Sequence, residues 1–333
     1  MEIASDEEIL EPELEIVDSH HHLWPASPAQ ENGGTLLSKW APYSLDDFCS
    51  DARGHRITGS VYVECQACYR ESGPESMRPV GETESVAALP APGDICAGIV
   101  GFADLSLGTS VGDVLDAHHE VAGRRFRGIR HTVAWDRDPA VYATARRPPP
   151  GLLEDSAFRA GAAELAARGL TFETWLYFHQ LPELSRFAAA CPELLIVLDH
   201  LGGPAATGRH AGVRDEVLKK WREGMAALSR DGNVVLKLGA VGMKAFSTPD
   251  LLGLAPATSQ AIADYWGREI RFCIETFGAD RCMFASNFPV DGALCSYASL
   301  WNAFKLIAAP YSQAERTLLF TGTARATYQL PAR

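Results

Sequence analysis

Three consecutive histidines, His20, His21 and His22, close an apolar run that begins at Ile16. Side chains on an extended backbone alternate between faces, so His20 and His22 point one way and His21 the other. Two imidazoles converging at the mouth of a buried strand make half of a metal site, the kind that needs about three protein ligands and an open position. Other polar groups stand where similar runs end. Glu64 follows Ser60 to Val63, His131 follows Phe126 to Arg130, His179 follows Trp175 to Phe178, His200 follows Val197 to Asp199, and Asn287 follows Phe284 to Ser286. Five imidazoles and a carboxylate are enough for two ions. The expected division is His20, His22 and His200 on one ion and His131 and His179 on the other, with Glu64 bridging. No cysteine joins the set, which leaves zinc, iron and manganese open. Asp18, Asp199 and Glu275 stand second to these, with Asp199 expected on the face of its strand opposite His200. Glu173 and Tyr177 at the fifth-strand exit, with Arg130 nearby, suit a carboxylate or carbonyl substrate.

These groups can meet only if the strands that carry them lie side by side. Short β-branched runs alternate with longer helical ones, the signature of a parallel α/β protein. Strands are expected at 14–18, 59–64, 96–102, 126–130, 170–175, 194–199, 233–238 and 282–286, and helices at 111–122, 156–167, 181–190, 213–229, 259–277, 297–308 and 313–328. Within 259–277, Ile262, Trp266, Ile270 and Ile274 recur every fourth residue and form one apolar stripe. Eight strand–helix units favour a closed (β/α)8 TIM barrel over an open sheet. Residues 1–13 read as an N-terminal extension and 14–333 as one catalytic barrel domain. The long segments 25–42 and 69–92 follow the first two strands, so they belong to the face that carries active sites in such barrels.

The formal charge of −12 and the lack of a basic, aromatic-rich run argue against a nucleic-acid partner. No apolar stretch approaches the ~20 residues of a membrane span, and the acidic start is not a secretory signal. Eight scattered cysteines suit a reduced, cytoplasmic chain; Cys65 and Cys68 form a C-x-x-C with no second pair for a structural zinc. A homodimer is the default assembly.

The chain resembles the amidohydrolase superfamily, in the branch that contains metal-independent lactonases. The matching pieces are Asp18-x-His20-x-His22-Leu23-Trp24, Phe126 to Arg130, Asp199-His200-Leu201-Gly202 and Met283 to Pro289. The resemblance implies a barrel with its site at the C-terminal strand ends and water attack on a lactone, amide or similar carbon centre. It also exposes a departure. The family's eighth strand usually ends in an aspartate that takes the water's proton, and here Asn287 stands there. An amide is no general base at neutral pH, so Asp291 or Glu275 would have to replace it. The loss of that base, together with Glu64, His131 and His179, resembles the superfamily's dinuclear non-haem iron monooxygenases. That resemblance implies two irons, O2, an external reductant from an electron donor, and hydroxylation of an unactivated C–H bond in a small carboxylate-bearing or terpenoid-type substrate. The alternative is a metal-dependent hydrolase or lactonase.

Overall fold

In the computed structural model, which describes residues 7–24, 41–142 and 146–331, one sheet and the segments that follow its strands carry all the candidate residues but Glu275. Its strands are β1 (Glu15–His21), β2 (Arg56–Val63), β3 (Gly98–Gly101), β4 (Phe126–Arg130), β5 (Thr171–Thr174), β6 (Ile196–Leu198), β7 (Val234–Leu238) and β8 (Cys282–Phe284). They pair in parallel in chain order. Just beyond the end of β8 the chain returns to β1: Asn287 N donates to His20 O at 2.8 Å and His22 N to Phe288 O at 2.8 Å. Asp18 strengthens this seam, because its carboxylate accepts from Ser286 N at 3.0 Å and from the Tyr297 hydroxyl at 3.0 Å. The architecture is the (β/α)8 barrel expected of eight alternating units.

The surrounding helices include α1 (Leu45–Asp51), α2 (Val80–Ala87), α3 (Val111–Ala122), α4 (Ser156–Ala167), α5 (Leu181–Ala190), α6 (Arg214–Leu228), α7 (Ser259–Phe277) and α8 (Tyr297–Ala308). The Thr258 side chain caps α7 by accepting from Ala261 N. The stripe of Ile262, Trp266, Ile270 and Ile274 on α7 is buried, each side chain contributing about 1.5–3 kcal/mol. Two expectations change. Segment 69–92 is not all loop, since α2 lies within it. The segment expected as one helix at 313–328 is broken by a π turn, Leu318–Gly322. The expected loop at 25–42 falls almost wholly outside the described residues. None of the described helices is long and apolar enough to cross a membrane.

The barrel interior changes character with height. At one level Val17, Val61, Val100, Val197, Val235 and Met283 pack together, plugged by Tyr328 and Leu330 from the end of the chain. Two residues further along the alternating strands the inward positions become ionic. Lys237 of β7 pairs with Glu173 of β5 and lies 3.6 Å from Asp199. The Tyr328 hydroxyl donates to the other Glu173 oxygen at 2.6 Å. All three ionic side chains are fully buried. Removing one member of such a group strands its partners' charges, which costs about 3–5 kcal/mol. Lys237→Met is therefore expected to lower stability by about that amount, read as a lower denaturant midpoint at unchanged slope.

Candidate active site

The ionic layer supports the imidazoles above it. Lys237 Nζ lies 3.2 Å from His20 Nδ1, under the ring. A register shift in β1 between Asp18 and His21 turns His20 and His22 inward together. His21 faces outward, stacked on Phe48 of α1 with ring centroids 4.2 Å apart and bonded to the Ser60 hydroxyl. His22 Nδ1 lies 2.8 Å from Val63 O. A carbonyl only accepts, so Nδ1 carries the proton and Nε2 presents its lone pair. That Nε2 lies 3.2 Å from His20 Nε2. The His200 ring is 5.0 Å from that of His20. Burial holds all three imidazoles well below the usual histidine range, helped by the Lys237 ammonium beside His20 and the Arg130 guanidinium beside His22 and His200. They are neutral at pH 7, the form that binds metals.

The strand ends that present these groups are bent. His200, Leu201 and Asn287 have φ of 57°, 54° and 55°, a left-handed backbone uncommon outside glycine and concentrated at functional sites. At Gly203 a Cβ would meet Leu176 O at 1.8 Å, so only glycine fits. The bend at His200 breaks the period-two rule. Asp199 does not turn away as expected: Asp199, His200 and His20 form one group whose ligand atoms lie within 4.8 Å of one another.

Two nitrogens bound at about 2.0–2.1 Å to one tetrahedral ion sit about 3.3 Å apart. The His20 and His22 Nε2 atoms, at 3.2 Å, match that spacing; without an ion the same contact is a hydrogen bond, because the Lys237 ammonium can only donate to His20 Nδ1 and leaves the proton on His20 Nε2, which an ion would have to displace. The described residues contain a second such group, Asp136, His179 and His210. It is not the expected partner site. Asp136 Oδ2 accepts from His179 at 3.0 Å and His210 at 2.8 Å, while the Arg209 guanidinium grips both carboxylate oxygens. These bonds hold the carboxyl well below the ordinary aspartate range despite its burial. They tie the loops after β4, β5 and β6 together beside Tyr142, whose hydroxyl accepts from Asp136 N at 3.0 Å.

The folded-state pKa of Asp136 is depressed, so its stabilisation is present above the unfolded value of about 3.9 and is lost as pH falls through the folded one. Asp136→Asn removes the charge that gathers three loops. It is expected to cost about 1–3 kcal/mol and to raise KM more than it lowers kcat. Steady-state kinetics beside a denaturation curve would check both.

Other expected ligands separate from the three imidazoles. His131 follows Arg130 on β4. Arg130 turns inward, so His131 turns outward, packs against Phe102 and Phe158, and accepts from Leu105 N at 3.3 Å. Glu64 is held by two guanidinium groups: its Oε1 accepts from Arg130 at 3.1 Å and from Arg146 at 3.4 Å. Glu275 is exposed on α7. Tyr177 is buried and donates to Val141 O at 3.0 Å, bracing a cavity wall. Asn287 donates through Nδ2 to Asp291 Oδ1 at 2.8 Å, and Gly242 N donates to the other oxygen at 3.1 Å. Burial raises the Asp291 carboxyl to about 7. Sequence reasoning missed Lys237, although a lysine inside the apolar run Val234 to Leu238 is itself a signal. It also missed Asp136, Arg209 and His210, whose loops give none.

Above these groups lies a cavity of about 590 Å3, lined by His22, His200, Arg130 and Asn287 with Trp24 and Trp175. Its size and mixed lining suit a small organic ligand.

The sequence profile of the amidohydrolase family matches residues 17–330. The chain is 31% identical over 331 residues to the protein y4mH of Sinorhizobium fredii, described as uncharacterized, covering 96% of this chain and 99% of that one. It is 26% identical over 333 residues to L-fucono-1,5-lactonase of Burkholderia multivorans, covering 95% and 96%. A crystal structure of an amidohydrolase from B. multivorans with bound zinc superposes at a TM-score of 0.72, with 24% identity and 96% and 100% coverage. The expected O2-dependent dinuclear iron monooxygenase, with its reductant and electron donor, is overturned by these findings. A relative with a named activity is a lactonase, and among the described residues neither His131 nor Glu64 belongs to a group spaced to hold an ion. The chain belongs to the amidohydrolase family.

Proposed function

We propose that this protein is a metal-supported hydrolase that opens a lactone or a closely related small ester. The observation that carries this reading is the pair of neutral imidazole nitrogens, His20 Nε2 and His22 Nε2, 3.2 Å apart beneath the cavity. The similarity to a lactonase over nearly the whole chain supports it. His20, His22 and His200 would hold the ion, with zinc or manganese suited to the nitrogen-rich set. Bound there, the ion would act as a Lewis acid on the ester carbonyl and ease deprotonation of water.

The remaining work falls to the chain's own groups. Trp24 and Trp175 flank the reactive end and exclude bulk water around a ring. Arg130, fixed by Glu64, places a positive charge on the cavity wall where negative charge develops on the carbonyl oxygen. Water adds to the carbonyl carbon, the ring C–O bond breaks, and the proton ends on the departing hydroxyl, leaving a hydroxy acid. Asn287 positions by hydrogen bonding and takes no proton. Lactone opening releases acid, so a panel of sugar lactones with a pH indicator, under nitrogen, tests the reading. Turnover without oxygen is expected. Failure of the metal-loaded protein to open any lactone or simple ester would refute it.

A further inference from the structure

Three loops meet around one carboxylate. Asp136 lies in the segment after β4, His179 in the 3-10 turn Phe178–Gln180 after β5, and His210 in the 3-10 turn Gly208–His210 after β6. The Nε2 atoms of both imidazoles reach the same oxygen, Asp136 Oδ2, at 3.0 and 2.8 Å. None of the three side chains lines the cavity that His22 and His200 share.

Proton donors alone overfill this carboxylate. Five reach it: Asp138 N and Arg209 Nε at Oδ1, and Arg209 Nη2 with the two imidazoles at Oδ2. A carboxylate offers about four lone-pair sites, so Oδ2 faces one donor too many. The excess falls on the nitrogens that can change role. An imidazole Nε2 either donates its proton or, once that proton is displaced, gives its lone pair to a cation. Backbone and guanidinium N–H groups have no such choice.

We propose that Asp136, His179 and His210 bind a divalent transition-metal ion, zinc by preference, as a clasp separate from the His20, His22 and His200 centre. Two imidazole nitrogens and one carboxylate oxygen make a three-ligand set, with water in the fourth position. Magnesium and calcium prefer oxygen throughout. Ion entry parts the donors from hydrogen-bond contact to about 3.3 Å, the spacing around a tetrahedral ion. Asp138 N and Arg209 Nε stay on Oδ1 and orient the ligating carboxylate, as outer hydrogen bonds do at metal sites. Arg209 is itself a third exposed, so its Nη2 has room to tilt away from the incoming charge. The His179 side chain is 24% exposed, which gives the ion a route from solvent. The turn that carries His210 is held in place beforehand, because Asp138 Oδ2 accepts from Arg209 N at 2.7 Å. The clasp does not rest on the hydrolase reading.

Calorimetric titration of chelator-stripped protein with zinc tests it. His22→Ala serves as the background, since that variant lacks a ligand of the other centre. It is expected to bind one zinc per chain, and added zinc should raise its Tm, as any ligand of the folded state does. Adding His179→Gln should weaken binding by at least about 10–100-fold, the loss that an outer partner alone can cause. Glutamine keeps an N–H for Asp136 but is a poor zinc ligand, so a purely hydrogen-bonding role would leave zinc affinity unchanged. His210→Gln, tested in the same background, should act in the same way and guards against misfolding of either variant. The proposal is overturned if His22→Ala binds no zinc, or if its zinc affinity survives both glutamine substitutions. Neither outcome touches lactone opening, which is judged by the lactone panel.

Discussion

Asn287→Asp is expected to raise kcat for lactone opening by about 10²-fold or more, the scale of a positioned general base. The position lines the cavity and ends the eighth strand, where the wild-type amide can bond to water without accepting its proton. A carboxylate there could take the proton. Asp291 complicates the substitution. It lies 2.8 Å behind the Asn287 amide, and burial already raises it to about 7. Two carboxyls at that distance do not both ionise; they share a proton, and the apparent pKa values belong to the pair. The single substitution should therefore gain most on the alkaline side of neutrality. Adding Asp291→Asn restores an amide neighbour and should carry the gain to lower pH. A kcat–pH profile of the single and double variants reads this directly. No gain in either would mean that Asn287 does not stand where the attacking water is deprotonated.

The second large effect is a loss. His20→Ala and His22→Ala should each abolish retention of the ion and lower turnover by about 10³-fold or more, because the Lewis acid leaves with them. The two variants differ in their structural cost. His22→Ala leaves the Val63 carbonyl without its imidazole donor, for about 1–3 kcal/mol. His20→Ala removes an imidazole from above Lys237 but leaves the ammonium its Glu173 and Asp199 partners. A denaturation curve therefore separates unfolding from loss of chemistry. Equal turnover in wild type and a folded His20→Ala variant would remove the ion from the account.

Much of this arrangement was legible in the residues. The helices at Val111–Ala122, Ser156–Ala167, Leu181–Ala190 and Ser259–Phe277 and the strand Phe126–Arg130 match the periodic pattern end to end. Local periodicity sets those boundaries. Alternation put His20 and His22 on one face, and the register shift in β1 made that face the inward one. Alternation also explains the main error. His131 directly follows inward-facing Arg130, and an offset of one residue on a strand exchanges the barrel interior for the helix-covered face. His179 lies past the strand, in the 3-10 turn Phe178–Gln180, where no two-residue rule applies. Asp199 and His200 reach the same group because of a left-handed backbone that the sequence does not announce. Tyr328 and Glu173 meet across 155 residues, a contact made by closure of the whole barrel rather than by any local signal.

The most direct test of the account is lactone turnover measured while protein stripped by a chelator is reloaded with zinc or manganese. The account predicts that activity disappears with the ion, returns in proportion to ion bound, and is the same under nitrogen as in air. Full activity in the stripped protein would contradict the central role given to His20, His22 and His200.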